Sequence, residues 1–208
     1  MNGLDRVLLL LTGLVALYAL ARLYQAYNKA PRTAYLAYML SFLVLLVAGV
    51  LLIAFGYDLL GSPWVVVVTT LIPLGLATGL VYDLKPQWAK AYLLYAVVGF
   101  LLVAAVYLGG MGATYGKFVM PFVHGIAGLT IIVLPLLAVS QSAAPAGFAL
   151  VAVGGVLIGL GGIALSFLKA GKQFLFFSQP VVLTILAPLL LLMTLAYTWG
   201  FVKHLMAK

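Results

Sequence analysis

The chain has 208 residues, of which 66% are hydrophobic and only 7% are charged. Soluble domains carry about 25% charged residues, so this composition excludes an ordinary soluble globular protein. The net charge of +8 comes from basic residues that stand singly at the ends of apolar segments, where they anchor helices at lipid headgroups. We therefore expect an all-α integral protein of the cell membrane that contacts membrane lipids and binds no nucleic acid.

Seven apolar segments are long enough to cross a bilayer, whose roughly 30 Å hydrocarbon core needs about 20 helical residues. They lie at residues 7–27, 34–55, 64–82, 88–109, 118–139, 147–168 and 174–201. Short connections rich in Pro and Gly separate them, so successive helices should be antiparallel neighbours. We expect a bundle of about seven transmembrane helices, a single polytopic domain over residues 1–208. The last span is long and should tilt, kink or begin along the membrane surface near Phe174.

The distribution of Lys and Arg predicts the orientation, because cytoplasmic loops are enriched in them. With the N-terminus outside, seven basic residues face the cytoplasm and four face outward. The cytoplasmic set is Arg22, Lys29, Arg32, Lys85, Lys90, Lys203 and Lys208, and the outer set is Arg6, Lys117, Lys169 and Lys172. This bias predicts an N-out, C-in topology.

Similar short segments recur along the chain. Ala-Tyr-Leu-Ala-Tyr at 34–38 resembles Ala-Tyr-Leu-Leu-Tyr at 91–95, and Pro-Leu pairs begin at Pro73, Pro135 and Pro188. The pattern suggests a weak parallel repeat of one helix followed by three hairpins, although chance matches are common in so apolar a chain. Each proline also frees a carbonyl within a helix, so the three are candidate kinks or hinges.

His124 is the one imidazole inside a predicted span, and an ionisable residue at that depth is a functional-site hypothesis. Met120 lies four residues earlier on the same helical face, so the pair is a candidate haem- or metal-binding site. We favour the simpler interpretation, a neutral histidine bonded to a neighbouring helix beside a packing methionine. His204 is predicted beyond the inner end of the last span, too far away to be a second haem ligand. No cofactor is predicted, with haem at His124 as the weaker alternative.

Small residues mark the sixth span as a packing surface. Gly155 and Gly159 form a G-x-x-x-G pair, with Gly162 nearby, and such pairs allow helices to approach closely. The contact is expected within the chain or with another subunit.

The three acidic residues, Asp5, Asp58 and Asp83, are all predicted at the N-terminus or in loops. No span then holds a carboxylate for ion coupling, and the chain lacks a catalytic Ser/His/Asp set, so an enzyme is not favoured. The leading hypothesis is a non-catalytic polytopic subunit of a larger membrane complex, with an energy-transducing or redox assembly as the favoured host. Its partners would be other membrane subunits or copies of itself. The alternative is an uncoupled channel, carrier or lipid-handling protein built around His124 and the proline-containing helices.

Overall fold

The computed structural model describes residues 1–169 and 178–207, and every regular element in these two ranges is helical. The α-helices are α1 (Gly3–Lys29), α2 (Thr33–Phe55), α3 (Pro63–Thr69), α4 (Leu71–Leu84), α5 (Ala89–Leu108), α6 (Gly112–Ser140), α7 (Leu150–Lys169) and α8 (Gln179–Met206). Short 3-10 turns at Tyr57–Gly61, Pro86–Trp88 and Ala146–Ala149 precede α3, α5 and α7. Six stretches are long and apolar enough to cross a membrane, with α3 and α4 together forming one of them.

The helices follow the order of the predicted spans, but several bounds differ. The third predicted span is interrupted, since α3 ends at Thr69 and α4 begins at Leu71. Pro73 has no N–H to donate to the carbonyl of Thr69, which weakens the helix at this point. The helix of the fifth span starts at Gly112 rather than at residue 118, because a helix can continue beyond the apolar run. The predicted start of the last span near Phe174 lies outside the described residues.

Six helices form a ring in which each contacts the next, in the order α1, α2, α4, α6, α7, α8 and back to α1. Helix α5 packs outside this ring, against α3, α4 and α6. The ring therefore consists of two three-helix units with the same order of neighbours. We call α1, α2 and α4 the N-terminal unit, and α6, α7 and α8 the C-terminal unit. This period of three helices differs from the predicted hairpin repeat.

Aromatic side chains fill the space enclosed by the six helices at one end of the bundle. This is the end where α1, α4 and α8 terminate, and we call it the inner end. The ring centroid of Phe201 lies 4.4 Å from that of Tyr38, 6.1 Å from that of Phe42 and 6.0 Å from that of Phe148. All four side chains are fully buried. Tyr38 and Phe42 belong to the N-terminal unit and Phe201 to the C-terminal unit, so this aromatic cluster joins the two.

Two glycines let α4 approach α2 closely. A Cβ atom at Gly75 would collide with the Ser41 side chain and lie 2.9 Å from the carbonyl oxygen of Ala37. A Cβ atom at Gly79 would collide with the ring of Tyr38. This G-x-x-x-G pair brings the backbone of α4 against α2, a role that was predicted only for glycines of the sixth span.

Candidate functional site at the inner end

A buried carboxylate and a buried imidazole meet at the inner end. Asp83, in the last turn of α4, has a side chain that is only 1% exposed. His204, in the last turn of α8, donates from Nε2 to the Oδ2 atom of Asp83 over 2.8 Å. The two residues are 121 positions apart in the sequence, and the bond connects the N-terminal unit to the C-terminal unit.

Arg32 supplies a second, weaker partner for the same carboxylate. Its guanidinium lies 3.8 Å from the other carboxylate oxygen of Asp83, and its side chain is half exposed. The guanidinium also lies over the ring of Tyr35, 6.0 Å from the centroid. Because exposed pairs of this length contribute about 0–1 kcal/mol, the bond to His204 is the stronger of these two contacts of Asp83. We call Arg32, Asp83 and His204 the inner polar cluster.

Helix direction makes Asp83 dependent on such partners. The C-terminal end of a helix carries partial negative charge, which disfavours a carboxylate and favours a cation or a hydrogen-bond donor. Asp83 stands at this end of α4, where its own helix cannot stabilise it. A donor from α8 and a cation from the N-cap of α2 compensate, so the cluster forms only when three helices come together.

Aromatic packing fixes the position of the imidazole. The ring of His204 stacks on Phe148 with centroids 4.0 Å apart and an interplanar angle of 16°. Phe148 lies in the 3-10 turn before α7 and is fully buried. The C-terminal unit thus presents His204 rigidly to Asp83.

Three buried polar atoms near this site have no hydrogen-bond partner within the described chain. They are the Tyr38 hydroxyl, the Thr198 hydroxyl and Nδ1 of His204. Tyr38 touches Phe201, which lies one turn from Thr198 on α8. Buried polar groups are normally satisfied by protein or by water, so these three atoms are the unsatisfied polar groups of the inner end.

The cluster corrects two sequence-based predictions. Asp83 was placed in a loop, yet it lies inside α4 with a buried carboxylate. His204 was placed beyond the last span, yet it lies inside α8 and is only 4% exposed. Ion-coupled transport was disfavoured on the premise that no span holds a carboxylate, and Asp83 removes that premise. No local pattern marks either residue, because their partners are distant in the sequence.

His124 lies far from this cluster, near the middle of α6. Its side chain is partly buried, and its Nδ1 atom has no side-chain partner within the part of the chain that the structure describes. Met120, one turn earlier, packs against the main hydrophobic core. No group of three His, Cys, Asp or Glu residues able to hold a metal occurs among the described residues. Haem binding through His124 and Met120 stays a prediction.

The sixth-span glycines point in different directions. A Cβ atom at Gly155 would lie 3.0 Å from Ile131 and from Ile132, so this glycine serves the contact between α7 and α6. A Cβ atom at Gly159 would have no atom of the described residues within 4 Å. The contact with α8 depends on Gly154 instead, whose Cβ would lie 2.7 Å from the ring of Tyr197.

The three candidate hinge prolines are not equivalent. Pro73 follows the break between α3 and α4, whereas α6 continues through Pro135 and α8 continues through Pro188. Pro73 and Pro188 each lie in the third helix of their unit, Pro73 near the start of α4 and Pro188 in the interior of α8. Pro135 lies in the first helix of the C-terminal unit.

A second buried carboxylate lies at the opposite, outer end. Asp5 is 5% exposed and forms a capping box with Asn2, whose side chain accepts from the Asp5 backbone N–H while the Asp5 carboxylate accepts from that of Asn2. Burial, together with the negative charge of Asp5, raises the pKa of Tyr57 to about 12. This local arrangement belongs to the N-terminal unit alone.

The chain matches no protein-family model, no curated protein and no solved structure. Functional assignment therefore depends on the helices and on the inner polar cluster.

Proposed function

We propose that the chain is inserted in the cell membrane by seven spans, with the N-terminus outside. Six stretches have the required length and apolarity, and α7 supplies the seventh. Exposed leucine, valine and phenylalanine side chains cover the flanks of the bundle, as expected for a surface in contact with acyl chains. The inner end carries Lys29, Arg32, Lys85 and Lys203, which agrees with a cytoplasmic location under the positive-inside rule.

Within this membrane framework, the chain acts as a carrier of a small solute. The observation that supports this most is that two three-helix units meet through a buried polar contact, Asp83 to His204, at one end of their shared axis. Carriers are commonly built from two repeats that rock about a central site, with proline-interrupted helices at corresponding positions. Pro73 and Pro188 lie in the third helices of the two units here, and only the span that contains Pro73 is interrupted.

The proposed cycle alternates between a closed and an open inner end. The closed end is the one described, held by the inner polar cluster and by the aromatic cluster around Phe201. Opening requires the Asp83–His204 bond to break and the two units to separate. The proposed bending point of the third span is Thr70, before Pro73, because the regular helix is interrupted there. The filled centre favours a carrier over an open channel.

Site-directed labelling tests this mechanism whatever the solute is. The chain contains no cysteine, so Thr198→Cys places one thiol on the buried face of α8. We expect slow reaction with a membrane-impermeant maleimide added on the inner side of sealed vesicles. Asp83→Asn in the same background should raise the rate about tenfold or more, because it weakens a charged hydrogen bond worth about 1.5–3 kcal/mol.

Ser140→Cys provides the matched control, since Ser140 is exposed at the end of α6 and should react equally fast in both backgrounds. The same vesicles are assayed for uptake of glycerol, glucose and potassium ions as probes. A Thr198→Cys thiol that stays equally protected with and without Asp83, together with no uptake of any probe, would contradict the carrier.

The accessory-subunit hypothesis is the second candidate. It is favoured by the position of α5 outside the ring, where Leu94, Val98 and Leu101 are more than half exposed. A partner helix or membrane lipid would cover this face equally well. Native mass spectrometry of gently extracted membranes distinguishes the two candidates, because a stable subunit should be recovered with other chains.

A further inference from the structure

A groove of about 610 Å³ runs along the flank of the bundle between α5, α6 and the end of α4. Its walls include Lys85, Trp88, Tyr92, Tyr95 and Thr130, and the remaining wall is aliphatic apart from backbone. The volume is within the range of about 300–1,000 Å³ typical of small-molecule sites. The groove is separate from the inner polar cluster, and no step of the proposed carrier uses it.

The three hydroxyl groups along the wall are already hydrogen-bonded within the chain. Tyr92 donates its hydroxyl to Thr130 over 3.1 Å, and Thr130 in turn donates to the carbonyl of Ile126 over 2.8 Å. Tyr95 donates to the carbonyl of Val123 over 2.6 Å. These bonds hold the aromatic rings in place, so the groove presents mainly carbon surface along its length.

Charge is confined to one end of the groove. Lys85 follows the last residue of α4, and no carboxylate lies among the lining residues. Within the described part of the chain, Lys85 has no ion pair. Trp88, 64% exposed, lies at the same end, where tryptophan side chains favour the level of lipid headgroups. The groove thus has an apolar body and a single cationic mouth.

We propose that this groove binds one anionic phospholipid, with its phosphate at Lys85 and an acyl chain along Tyr92 and Tyr95. Under the proposed topology the mouth lies at the cytoplasmic leaflet, which is rich in anionic lipids and attracts basic residues. A zwitterionic phospholipid also brings a phosphate, but its own ammonium group offsets that charge, so an anionic headgroup pairs better with Lys85. The inference depends on the proposed membrane insertion and not on the carrier mechanism.

Native mass spectrometry tests the proposal on the full chain. The protein is reconstituted in phosphatidylcholine vesicles containing phosphatidylglycerol, extracted, and compared with Lys85→Gln and Lys90→Gln. Lys90 is exposed and does not line the groove, so its variant is the charge-matched control. We expect wild type and Lys90→Gln to retain one phosphatidylglycerol, and Lys85→Gln to retain it about fivefold less, the factor for one basic contact with an anionic surface.

A second pair of variants tests the groove itself rather than the charge. Ala91→Phe fills the groove, whereas Leu94→Phe adds an aromatic ring to an exposed position outside it. Only Ala91→Phe should release the lipid. Equal retention by all variants, preference for phosphatidylcholine, or recovery of a second copy of the chain in place of lipid would each overturn the proposal. Thiol labelling of Thr198→Cys does not depend on these outcomes, so it tests the carrier mechanism independently.

Discussion

Asp5 and Asp83 both bury a carboxylate at the end of a helix, and they are stabilised in opposite ways. Asp5 lies in the first turn of α1, where the helix dipole favours a negative charge, and Asn2 completes a capping box three residues away. Asp83 lies in the last turn of α4, where the dipole is unfavourable, and its partners come from the start of α2 and from α8. The first carboxylate receives its capping hydrogen bond and a favourable dipole from its own helix, whereas the second depends on partners from other helices.

The largest expected effect comes from removing the carboxylate that depends on the ring. Asp83→Ala leaves the buried Nε2 of His204 without an acceptor and Arg32 without its counter-charge. Losing a buried hydrogen bond to a carboxylate costs about 1.5–3 kcal/mol, so we expect a marked fall in the unfolding midpoint of the detergent-solubilised protein, measured by circular dichroism. Asp83→Asn keeps an acceptor for the imidazole and should cost less. If Asp83→Ala unfolds like wild type, the inner polar cluster does not stabilise the ring.

Sequence reasoning predicted the all-helical fold and the order of the helices, because long apolar runs between Pro- and Gly-rich breaks are local signals. It missed the inner polar cluster, because the partners of Asp83, unlike those of Asp5, are distant in the sequence. The bond between Asp83 and His204 spans 121 positions, and hydropathy gives the depth of a residue but not the side chains that meet it. His124 was singled out by depth alone, whereas His204 was set aside because it falls at the end of an apolar run.

A smaller effect should follow from disturbing the packing of α2 against α4, which places Arg32 next to Asp83. Helices α2 and α4 meet through Gly79, where an added Cβ would collide with the Tyr38 ring and lie 3.0 Å from the carbonyl oxygen of Ala34. Gly79→Ala should therefore cost about 1–3 kcal/mol through overpacking. Chemical unfolding followed by tryptophan fluorescence gives the free energy of unfolding.

Gly159→Ala is the matched control for this helix contact. Among the described residues no atom lies within 4 Å of a Cβ at Gly159, and replacing glycine by alanine inside a helix is worth roughly 0.5–1 kcal/mol in favour of alanine. We expect this variant to be neutral or slightly more stable. A loss at Gly159 equal to that at Gly79 would mean that this glycine meets an atom beyond the described residues, and native mass spectrometry would show whether another subunit supplies it.

Removing the carboxylate of Asp5 should lower the stability less than removing that of Asp83. Asp5→Ala removes one half of the capping box with Asn2, and loss of a helix cap costs about 0.5–2 kcal/mol. Unlike Asp83→Ala, it leaves the contact between the two units intact, so Thr198→Cys should stay protected from inner-side labelling. A cost as large as that of Asp83→Ala would contradict the distinction between a carboxylate held by its own helix and one held by the ring.

The smallest expected effect is a change in the pKa of Tyr57 at the outer end, which reports on the charge of Asp5. Burial and the neighbouring carboxylate raise the pKa of Tyr57 to about 12, compared with about 10 for a free tyrosine. The folded state then favours the neutral phenol, so this contribution to stability is complete below about pH 10 and declines as the pH rises toward 12. The difference in tyrosinate absorbance between wild type and Tyr57→Phe isolates this one residue. Asp5→Asn should lower the pKa of Tyr57, because the carboxylate that opposes a second negative charge is removed; an unchanged pKa would mean that burial alone causes the shift.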